Sequence, residues 1–334
     1  MNNTTDAEPL GAGGIAWSTS KVMLFVFQLL IMLETIFGNL LVVMSVKVEK
    51  KLQTPFNYYI VNLAITDMNV GMSVMSLFAI YNLFGYFPFN NFICGYWVWS
   101  DYTMTFESVF TLMTISIDRF WSVTWSTHYR NTYSPKKCLA LLCVTWCVVN
   151  AIWLPAFIYD RVANDYAPGD CYWDPLRNRY LVIYVGFLGY YMPFLTMIGA
   201  YSRILYVMRK RARKIRDSKK VQVATVDGEV DEKKAVVVAD DKEEQRRKRE
   251  QKAVMTLLSI IGVFAVCWVP FYLLFVISAW YPDFFPGWFV EFSYWMAYIN
   301  SAVNPILYGI SSAEFRAAYI KIFYIITCRE PPSS

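Results

Sequence analysis

The sequence lacks most of the residue patterns that enzyme active sites require. It has a single histidine, His128, among its 334 residues, which leaves little material for imidazole acid–base chemistry or for a zinc site. It contains no glycine-rich phosphate loop, no paired catalytic carboxylates and no cluster of metal ligands. These absences argue against an enzyme.

Charged residues are also scarce. They make up 17% of the chain, whereas 56% of the residues are hydrophobic and 18% are aromatic. The charged share is lower, and the hydrophobic share higher, than in an ordinary soluble domain. The net charge of +5 does not indicate nucleic-acid binding, because the basic residues cluster between apolar runs rather than along one face. The composition predicts a protein that lies in the lipid bilayer and binds no nucleic acid.

Seven apolar runs reach the length of about 20 residues that a helix needs to cross the bilayer. Residues 1–20 carry no Lys or Arg, whereas basic residues follow the first, third, fifth and seventh runs. The positive-inside rule then predicts an extracellular N-terminus at the plasma membrane. The predicted fold is all-α, a seven-transmembrane helix bundle with runs near 22–46, 56–84, 94–117, 138–159, 180–208, 253–280 and 287–310.

The same pattern divides the chain into segments. We expect an extracellular tail at 1–20, five membrane helices within 21–213, and a cytoplasmic loop at 214–248 that is rich in charged residues. Two further membrane helices follow within 249–310, and a short amphipathic eighth helix lies within 311–334.

Three positions outside the membrane runs are candidate modification sites. Asn2 and Asn3 begin overlapping glycosylation motifs in the N-terminal tail. Cys328 follows the amphipathic helix, where a palmitoyl group would anchor it to the membrane.

The third run carries two aspartates inside a membrane segment. Asp101 and Asp118 lie about 25 Å apart along one helix, so that one is near each membrane face. An ionisable residue within a span is energetically costly and suggests function, although a structural salt bridge is the alternative.

An ordered set of short motifs is spread over nearly the whole chain. The motifs are Gly38-Asn39, Asn62-Leu63-Ala64-Ile65-Thr66-Asp67, Asp118-Arg119-Phe120, Trp146, Pro193 and Tyr201, Cys267-Trp268-Val269-Pro270, and Asn304-Pro305-Ile306-Leu307-Tyr308. Each motif alone has low specificity, but the ordered set is very specific, and it resembles that of rhodopsin-like G protein-coupled receptors. Ala297 stands where opsins carry the retinal lysine, which excludes a light receptor.

The resemblance implies the partners of such a receptor. We expect a small-molecule ligand, a heterotrimeric G protein with the inhibitory Gi/o branch favoured, arrestin and a receptor kinase. We also expect a disulfide between Cys94 and Cys171, since the predicted topology places both on the oxidising, extracellular side.

The family further implies a switch at the cytoplasmic end of the bundle. Asp118 and Glu250 would hold Arg119 in the inactive state through charge-assisted hydrogen bonds, although loosely solvated charges at a helix end are the alternative. The other residues implied in this switch are Tyr201, Pro270, Asn304, Pro305 and Tyr308.

One polar set within the runs resembles the family's allosteric sodium pocket. It would consist of Asp67, Ser108, Asn300, Asn304 and the adjacent Ser301, whose oxygens suit this ion. A buried network satisfied by water is the alternative. We expect no other metal and no other cofactor.

Asp101 falls where amine receptors carry the carboxylate that pairs with the ligand's ammonium. Aromatic side chains around it could stabilise a quaternary cation through their ring faces, although Trp268 would also serve as core packing. The candidate ligand-binding set is Asp101, Tyr102, Trp153, Trp268, Phe271, Tyr272, Tyr294 and Tyr298.

The choice of amine depends on which receptors these segments resemble most. Val185, Gly186 and Gly189 occupy positions where catecholamine and serotonin receptors tend to carry hydroxyls, so a catechol ligand is disfavoured. The segments around Trp153 and from Tyr294 to Ser301 look most like muscarinic acetylcholine receptors, with histamine receptors second.

One departure from the typical muscarinic pattern affects the expected pharmacology. Phe271-Tyr272 stands where typical muscarinic receptors have Tyr-Asn, which resembles the atypical muscarinic receptors of invertebrates. We therefore expect a response to acetylcholine with weak sensitivity to atropine.

A membrane transporter or channel is the alternative from another class, because charged residues in spans also mark ion pathways. The two halves of the sequence show no internal similarity and no pair of interrupted helices, which disfavours a transporter. The receptor motifs account for every intramembrane acid except Glu34 and Glu107.

Overall fold

The computed structural model describes residues 19–223, 255 and 258–327, and these form an all-α bundle without strands. The predictions for Asn2, Asn3, Glu250 and Cys328 fall outside these residues. The tail expected at 1–20 also lies largely outside them, as does most of the loop expected at 214–248. The helix that precedes that loop continues to Val223, so helical structure extends past residue 213.

Nine α-helices and one 3-10 helix, at Lys50–Leu52, occur in the described part of the chain. α2 and α6 each contain a π-helical turn, at Val70–Met75 and at Phe187–Tyr191. The helices are α1 (Thr19–Val48), α2 (Asn57–Phe84), α3 (Asn91–Thr124), α4 (Ser126–Thr132), α5 (Pro135–Ala163), α6 (Arg179–Gly186, its π turn and Met192–Val223), α7 (Leu258–Ser278), α8 (Gly287–Ser311) and α9 (Ala313–Ile326).

Length and composition alone mark five of the described helices, α1, α2, α5, α6 and α7, as able to cross a membrane. The remaining two predicted spans, α3 and α8, are 34 and 25 residues long, but they carry many of the buried polar side chains. Both pack against several other helices. A helix enclosed by neighbours presents little surface to lipid, so its outer face need not be apolar.

Glycine permits close approach of helices at two places that matter for the interior. A Cβ on Gly38 would lie 2.9 Å from Oε1 of Glu34 and 3.1 Å from the ring of Pro305, so α1 and α8 meet tightly there. A Cβ on Gly189 would lie 2.8 Å from the ring of Phe106, so α6 approaches α3 through this glycine. Any larger residue would force these elements apart.

A polar cluster joins α2, α3 and α5 and accounts for Glu107, whose role the sequence left open. Oε1 of Glu107 accepts hydrogen bonds from Thr145 at 2.8 Å, Asn62 at 3.0 Å and Thr111 at 3.3 Å. The indole of Trp146 donates to Oδ1 of Asn62 at 3.1 Å. Buried polar groups need such partners, and here the partners come from three different helices.

The loop between α5 and α6 covers the outer end of the bundle. The predicted disulfide between Cys94 and Cys171 is confirmed, and it fixes this loop to α3. Asp160 is fully buried beside Arg161, with an N–O separation of 2.8 Å, and it also accepts from Asn178. The loop is therefore ordered by polar contacts directly above the cavities of the bundle.

Candidate functional site

The carboxylate of Asp101 lies on the wall of a small cavity between α3, α6, α7 and α8. The hydroxyl of Tyr298 donates to its Oδ2 at 3.1 Å. No other side chain that the structure describes on this wall carries a charge. The lining residues are Asp101, Tyr102, Thr105, Tyr190, Trp268, Phe271, Tyr294, Ala297 and Tyr298.

The aromatic rings of this cavity contact one another in a continuous wall. Ring centroids are separated by 5.1 Å between Tyr190 and Trp268, 5.7 Å between Trp268 and Phe271, and 5.1 Å between Phe271 and Tyr294. These rings are at most half-exposed. Ring faces attract cations within about 6 Å, so a carboxylate surrounded by rings can hold a desolvated ammonium group.

Six of the eight residues predicted to bind ligand line this cavity, and two do not. Trp153 is fully buried and stacks behind Tyr102, with a centroid separation of 4.1 Å, so it supports the wall from outside. Tyr272 lies in a separate cleft between α6 and α7, against Tyr191 at 4.1 Å. That second cleft has a volume of about 740 Å³ and is almost entirely apolar.

Sequence reasoning did not identify Thr105, Tyr190 and Ala297 as lining residues. Thr105 and Ala297 could have been found, because each lies on the same helical face as an identified neighbour. Tyr190 was concealed by the π turn Phe187–Tyr191, which interrupts the regular 3.6-residue spacing of α6.

Above the Asp101 cavity lies a wider vestibule of about 1290 Å³, which also reaches Asp101 and Tyr102. Its wall includes Glu291 of α8, another residue that sequence reasoning missed. Gln28 of α1 and Asn82 of α2 donate to Oε1 of Glu291 at 2.9 and 3.1 Å. The signal was available in the sequence, because Glu291 precedes Tyr298 by two helical turns on one face.

Asp67 is fully buried at the centre of the predicted sodium set. It accepts hydrogen bonds from Ser301 at 2.7 Å, Asn304 at 2.8 Å and Ser108 at 3.1 Å. Asn300, which was also predicted here, does not bond to Asp67, and its Oδ1 is buried without a partner.

Arg119 contacts two groups near the C-terminal end of α3. Its guanidinium lies 3.4 Å from Oδ2 of Asp118 and 3.4 Å from the ring centroid of Phe56. The hydroxyl of Tyr129, in the short helix α4, donates to both carboxylate oxygens of Asp118 at 3.0 and 3.2 Å. Burial raises the pKa of the Tyr129 hydroxyl, which therefore stays protonated and able to donate.

The remaining residues of the predicted switch lie on three helices. Tyr201 of α6 is buried in a small cluster with Ile204, and Pro270 lies within α7. The carbonyl of Pro305 accepts from the hydroxyl of Tyr319 at 3.0 Å. Tyr308 stacks on Phe315 of α9 with a centroid separation of 5.3 Å. The amphipathic helix is thus joined to the end of α8.

Comparison with known proteins agrees with this architecture. Residues 38–308 match the family described as 7 transmembrane receptor (rhodopsin family). The 5-hydroxytryptamine receptor 1B of Equus caballus is 30% identical, over 90% of this chain and 86% of the relative. The receptors of the same name from Mus musculus and Homo sapiens are each 29% identical, over 90% of this chain and 87% and 86% of theirs.

These matches exclude the transporter and enzyme alternatives, because the family is a class of receptors. They imply a small-molecule ligand, coupling to a G protein, and several passes through a membrane. The chain belongs to the rhodopsin family of seven-transmembrane G protein-coupled receptors and has aminergic relatives.

Proposed function

We propose that this receptor is activated by a small cationic amine that binds at Asp101, and that acetylcholine is its ligand. The observation that carries the proposal is the single carboxylate in an aromatic cavity, with its Oδ2 oriented by the hydroxyl of Tyr298. Tyr102, Tyr294 and Trp268 supply ring faces to the same space. This combination suits a compact methylated ammonium group.

The wall contributed by α6 favours acetylcholine over a catechol amine. Val185 is fully buried, and Gly189 is closed off by the ring of Phe106. Among the described lining residues, α6 contributes the phenol of Tyr190 but no aliphatic hydroxyl. The α6 wall therefore has none of the aliphatic hydroxyls expected at a catechol site.

The lining of the cavity also supports weak sensitivity to atropine. No Asn or Gln side chain lines the Asp101 cavity among the described residues. A bulky ester that requires an amide partner would leave its own polar group unpaired, which is energetically costly. We therefore expect acetylcholine to activate the receptor at concentrations at which atropine antagonises it poorly.

Serotonin is the second candidate ligand, because all of the relatives described above are named for 5-hydroxytryptamine. Dose–response curves for acetylcholine, serotonin and histamine in cells that express the receptor would separate the candidates. A response to serotonin without one to acetylcholine would refute the acetylcholine assignment and leave the amine assignment intact. Silence to all three amines, with the receptor present at the surface, would refute both.

We place the receptor in the plasma membrane with its N-terminus outside, as the distribution of basic residues indicates. Signalling through Gi/o, followed by binding of a receptor kinase and arrestin, rests on the resemblance to the family. Measuring cyclic AMP and calcium in the same cells tests the G protein: a fall in cyclic AMP that pertussis toxin prevents is expected.

A sodium ion at Asp67 is part of the proposal. The residues present fit this ion, since the carboxylate is accompanied by the hydroxyl oxygens of Ser108 and Ser301. Two further amide oxygens, Oδ1 of Asn39 and Oδ1 of Asn300, are buried without hydrogen-bond partners. Unpaired buried acceptors are uncommon, and such oxygens are of the kind that coordinate a cation.

A further inference from the structure

We propose that a groove on the outside of the bundle, between the N-terminal end of α3, the C-terminal end of α5 and the loop that follows α5, binds one phospholipid with a phosphocholine headgroup. The groove shares no described lining residue with the Asp101 cavity or the vestibule. The proposal is independent of the amine function. The residues that carry it are Gly95, Tyr96, Trp99, Arg161, Asp165 and Asp170.

The groove lies at the level where a lipid's headgroup joins its chains. Asn91 and Phe92, in the first turn of α3, line it, and so does Arg161, in the last turn of α5. Beside it, Phe92 is 83% exposed, and Ile158 and Val162 of α5 are also exposed. Apolar side chains near the end of a membrane helix face the acyl chains, and the polar loop beyond the helix lies among the headgroups.

Arg161 has hydrogen-bond donors that lack a good acceptor. Its Nη2 donates to the carbonyl of Tyr172 at 2.6 Å and lies 2.8 Å from Oδ2 of Asp160. Its Nη1 contacts Sγ of Cys94 at 3.9 Å, which is a weak acceptor, and its Nε is buried without a hydrogen-bond partner. A phosphate oxygen is a far stronger acceptor for Nη1 than this sulfur.

The charges of the groove call for a positive group as well as a phosphate. The buried Asp160 balances the charge of Arg161. Asp165 and Asp170 are exposed in the loop beyond α5 and are the other charged side chains among the described lining residues. Neither forms an ion pair with a described Lys or Arg. The groove is therefore negative beyond the end of α5, where the ammonium of a phosphocholine lipid lies outward of its phosphate.

An aromatic wall on α3 and α5 leaves room for the acyl chains. Tyr96 and Trp99 contact each other with a centroid separation of 6.3 Å, and Phe157 faces them across the groove from α5. Gly95 lies between the two helices, and a Cβ there would meet Phe157 at 3.8 Å, which is ordinary van der Waals contact. Space that a larger side chain would fill is therefore open at this position.

A lipid in the groove would restrain the loop that covers the ligand cavity. Arg161 holds the carbonyl of Tyr172, and the next residue, Trp173, packs against Tyr102 of the Asp101 cavity with a centroid separation of 5.8 Å. Cys94, which anchors the loop through its disulfide, lines the same groove. The lipid would thus hold the loop from the side that faces away from the ligand.

Native mass spectrometry of the purified full-length receptor tests the inference by titration with lipids that carry two oleoyl chains. Their headgroups are phosphocholine, phosphoglycerol, which lacks the ammonium, and trimethylammonium alone, which lacks the phosphate. We expect the phosphocholine lipid to bind about fivefold more tightly than either of the others, which corresponds to about 1 kcal/mol. Soluble glycerophosphocholine should bind more weakly than the lipid, because it lacks the chains.

Two variants locate the binding in the groove. Gly95→Leu should fill it and reduce both preferences to within about twofold, while Gly199→Leu, the same change at an exposed glycine of α6, should leave them intact. The double variant Asp165→Asn, Asp170→Asn should lose the preference over phosphoglycerol. Asp283→Asn, which removes an exposed charge from the loop before α8, is its control and should keep it. Melting temperatures without added lipid should match that of the unmodified receptor.

Four results would overturn the inference: equal binding of the three lipids, preferences that survive Gly95→Leu, an equal loss in Gly199→Leu or Asp283→Asn, or binding of glycerophosphocholine as tight as that of the lipid. The third would mean that the general surface, rather than the groove, selects the headgroup. The fourth would mean that a soluble phosphocholine compound is the occupant. The amine function is tested separately by the dose–response curves and is unaffected by any of these outcomes.

Discussion

The Asp101→Asn substitution is expected to remove most of the affinity for a cationic amine. Asparagine keeps the size of the side chain and an oxygen that can accept from Tyr298, but it carries no charge. A hydrogen bond to a charged group contributes about 1.5–3 kcal/mol, and breaking an ion pair in a desolvated site costs about 3–5 kcal/mol. The cost at Asp101 should fall between these two values. The cavity wall is aromatic, which favours a desolvated ion pair, but the cavity adjoins the wider vestibule.

A loss of about 2–4 kcal/mol corresponds to an increase in the dissociation constant of about 30-fold to 1000-fold. Tyr298→Phe is the matched control. It keeps the carboxylate and the ring and removes only the 3.1 Å hydrogen bond to Asp101. Because this hydrogen bond is already present before a ligand binds, only part of its contribution of about 1.5–3 kcal/mol should be lost from binding, about 0.5–1.5 kcal/mol. Its dissociation constant should therefore rise by no more than about tenfold.

The measurement is competition binding on membranes, with the number of receptors at the surface determined separately by antibody labelling. Normal surface expression of both variants, with a larger loss of affinity in Asp101→Asn than in Tyr298→Phe, would support the role of Asp101 as countercharge. If Asp101→Asn bound acetylcholine and serotonin as tightly as the unmodified receptor, the carboxylate would not be the amine contact. A larger loss in Tyr298→Phe than in Asp101→Asn would equally refute the electrostatic account.

Three further outcomes follow from other parts of the bundle. Cys94→Ser and Cys171→Ser should each lower surface expression, with no additional loss in the double variant, because the two residues form one bond; free thiols in mass spectra of the unreduced protein would contradict this. Agonist binding should weaken as sodium replaces an equal concentration of N-methylglucamine, and Asp67→Asn should abolish that dependence; a dependence that persists would exclude the pocket around Asp67. Gly189→Ala should lower the free energy of unfolding by about 1–3 kcal/mol, because its Cβ would lie 2.8 Å from the ring of Phe106. The melting temperature should therefore fall, and an unchanged value would mean that this ring moves freely.

The sequence predicted the helices well because each crosses a medium in which only internal backbone hydrogen bonds are available. It therefore placed Asp101 and Tyr298 on helices that turned out to converge on one cavity. The apolar runs 94–117 and 287–310 also predicted α3 and α8, although many polar residues of these two helices are buried against other helices and their overall hydropathy is lower.

The side chains that sequence reasoning misplaced depend on how helices rotate and pack. Tyr272 was expected beside Asp101 and lies instead in the cleft between α6 and α7. Tyr190 lies where a π turn changes the spacing of α6. Glu291 shares a helical face with Tyr298, but its position opposite Gln28 and Asn82 depends on the packing of three helices. Periodicity within one helix does not determine its rotation against a neighbour.

The hydrogen bonds that converge on Glu107 have a mechanical consequence for signalling. Because Asn62, Thr111 and Thr145 all donate to one oxygen of this buried acid, sliding of α2 or α5 against α3 would break several hydrogen bonds at once. These three helices should therefore behave as one rigid body. Ligand-induced motion is then expected mainly in α6 and α7, whose side chains Tyr190 and Trp268 meet at the ligand cavity. In hydrogen–deuterium exchange, the slowest backbone amides should lie near Asn62 and Thr145. Agonist should change the exchange rates chiefly in α6 and α7.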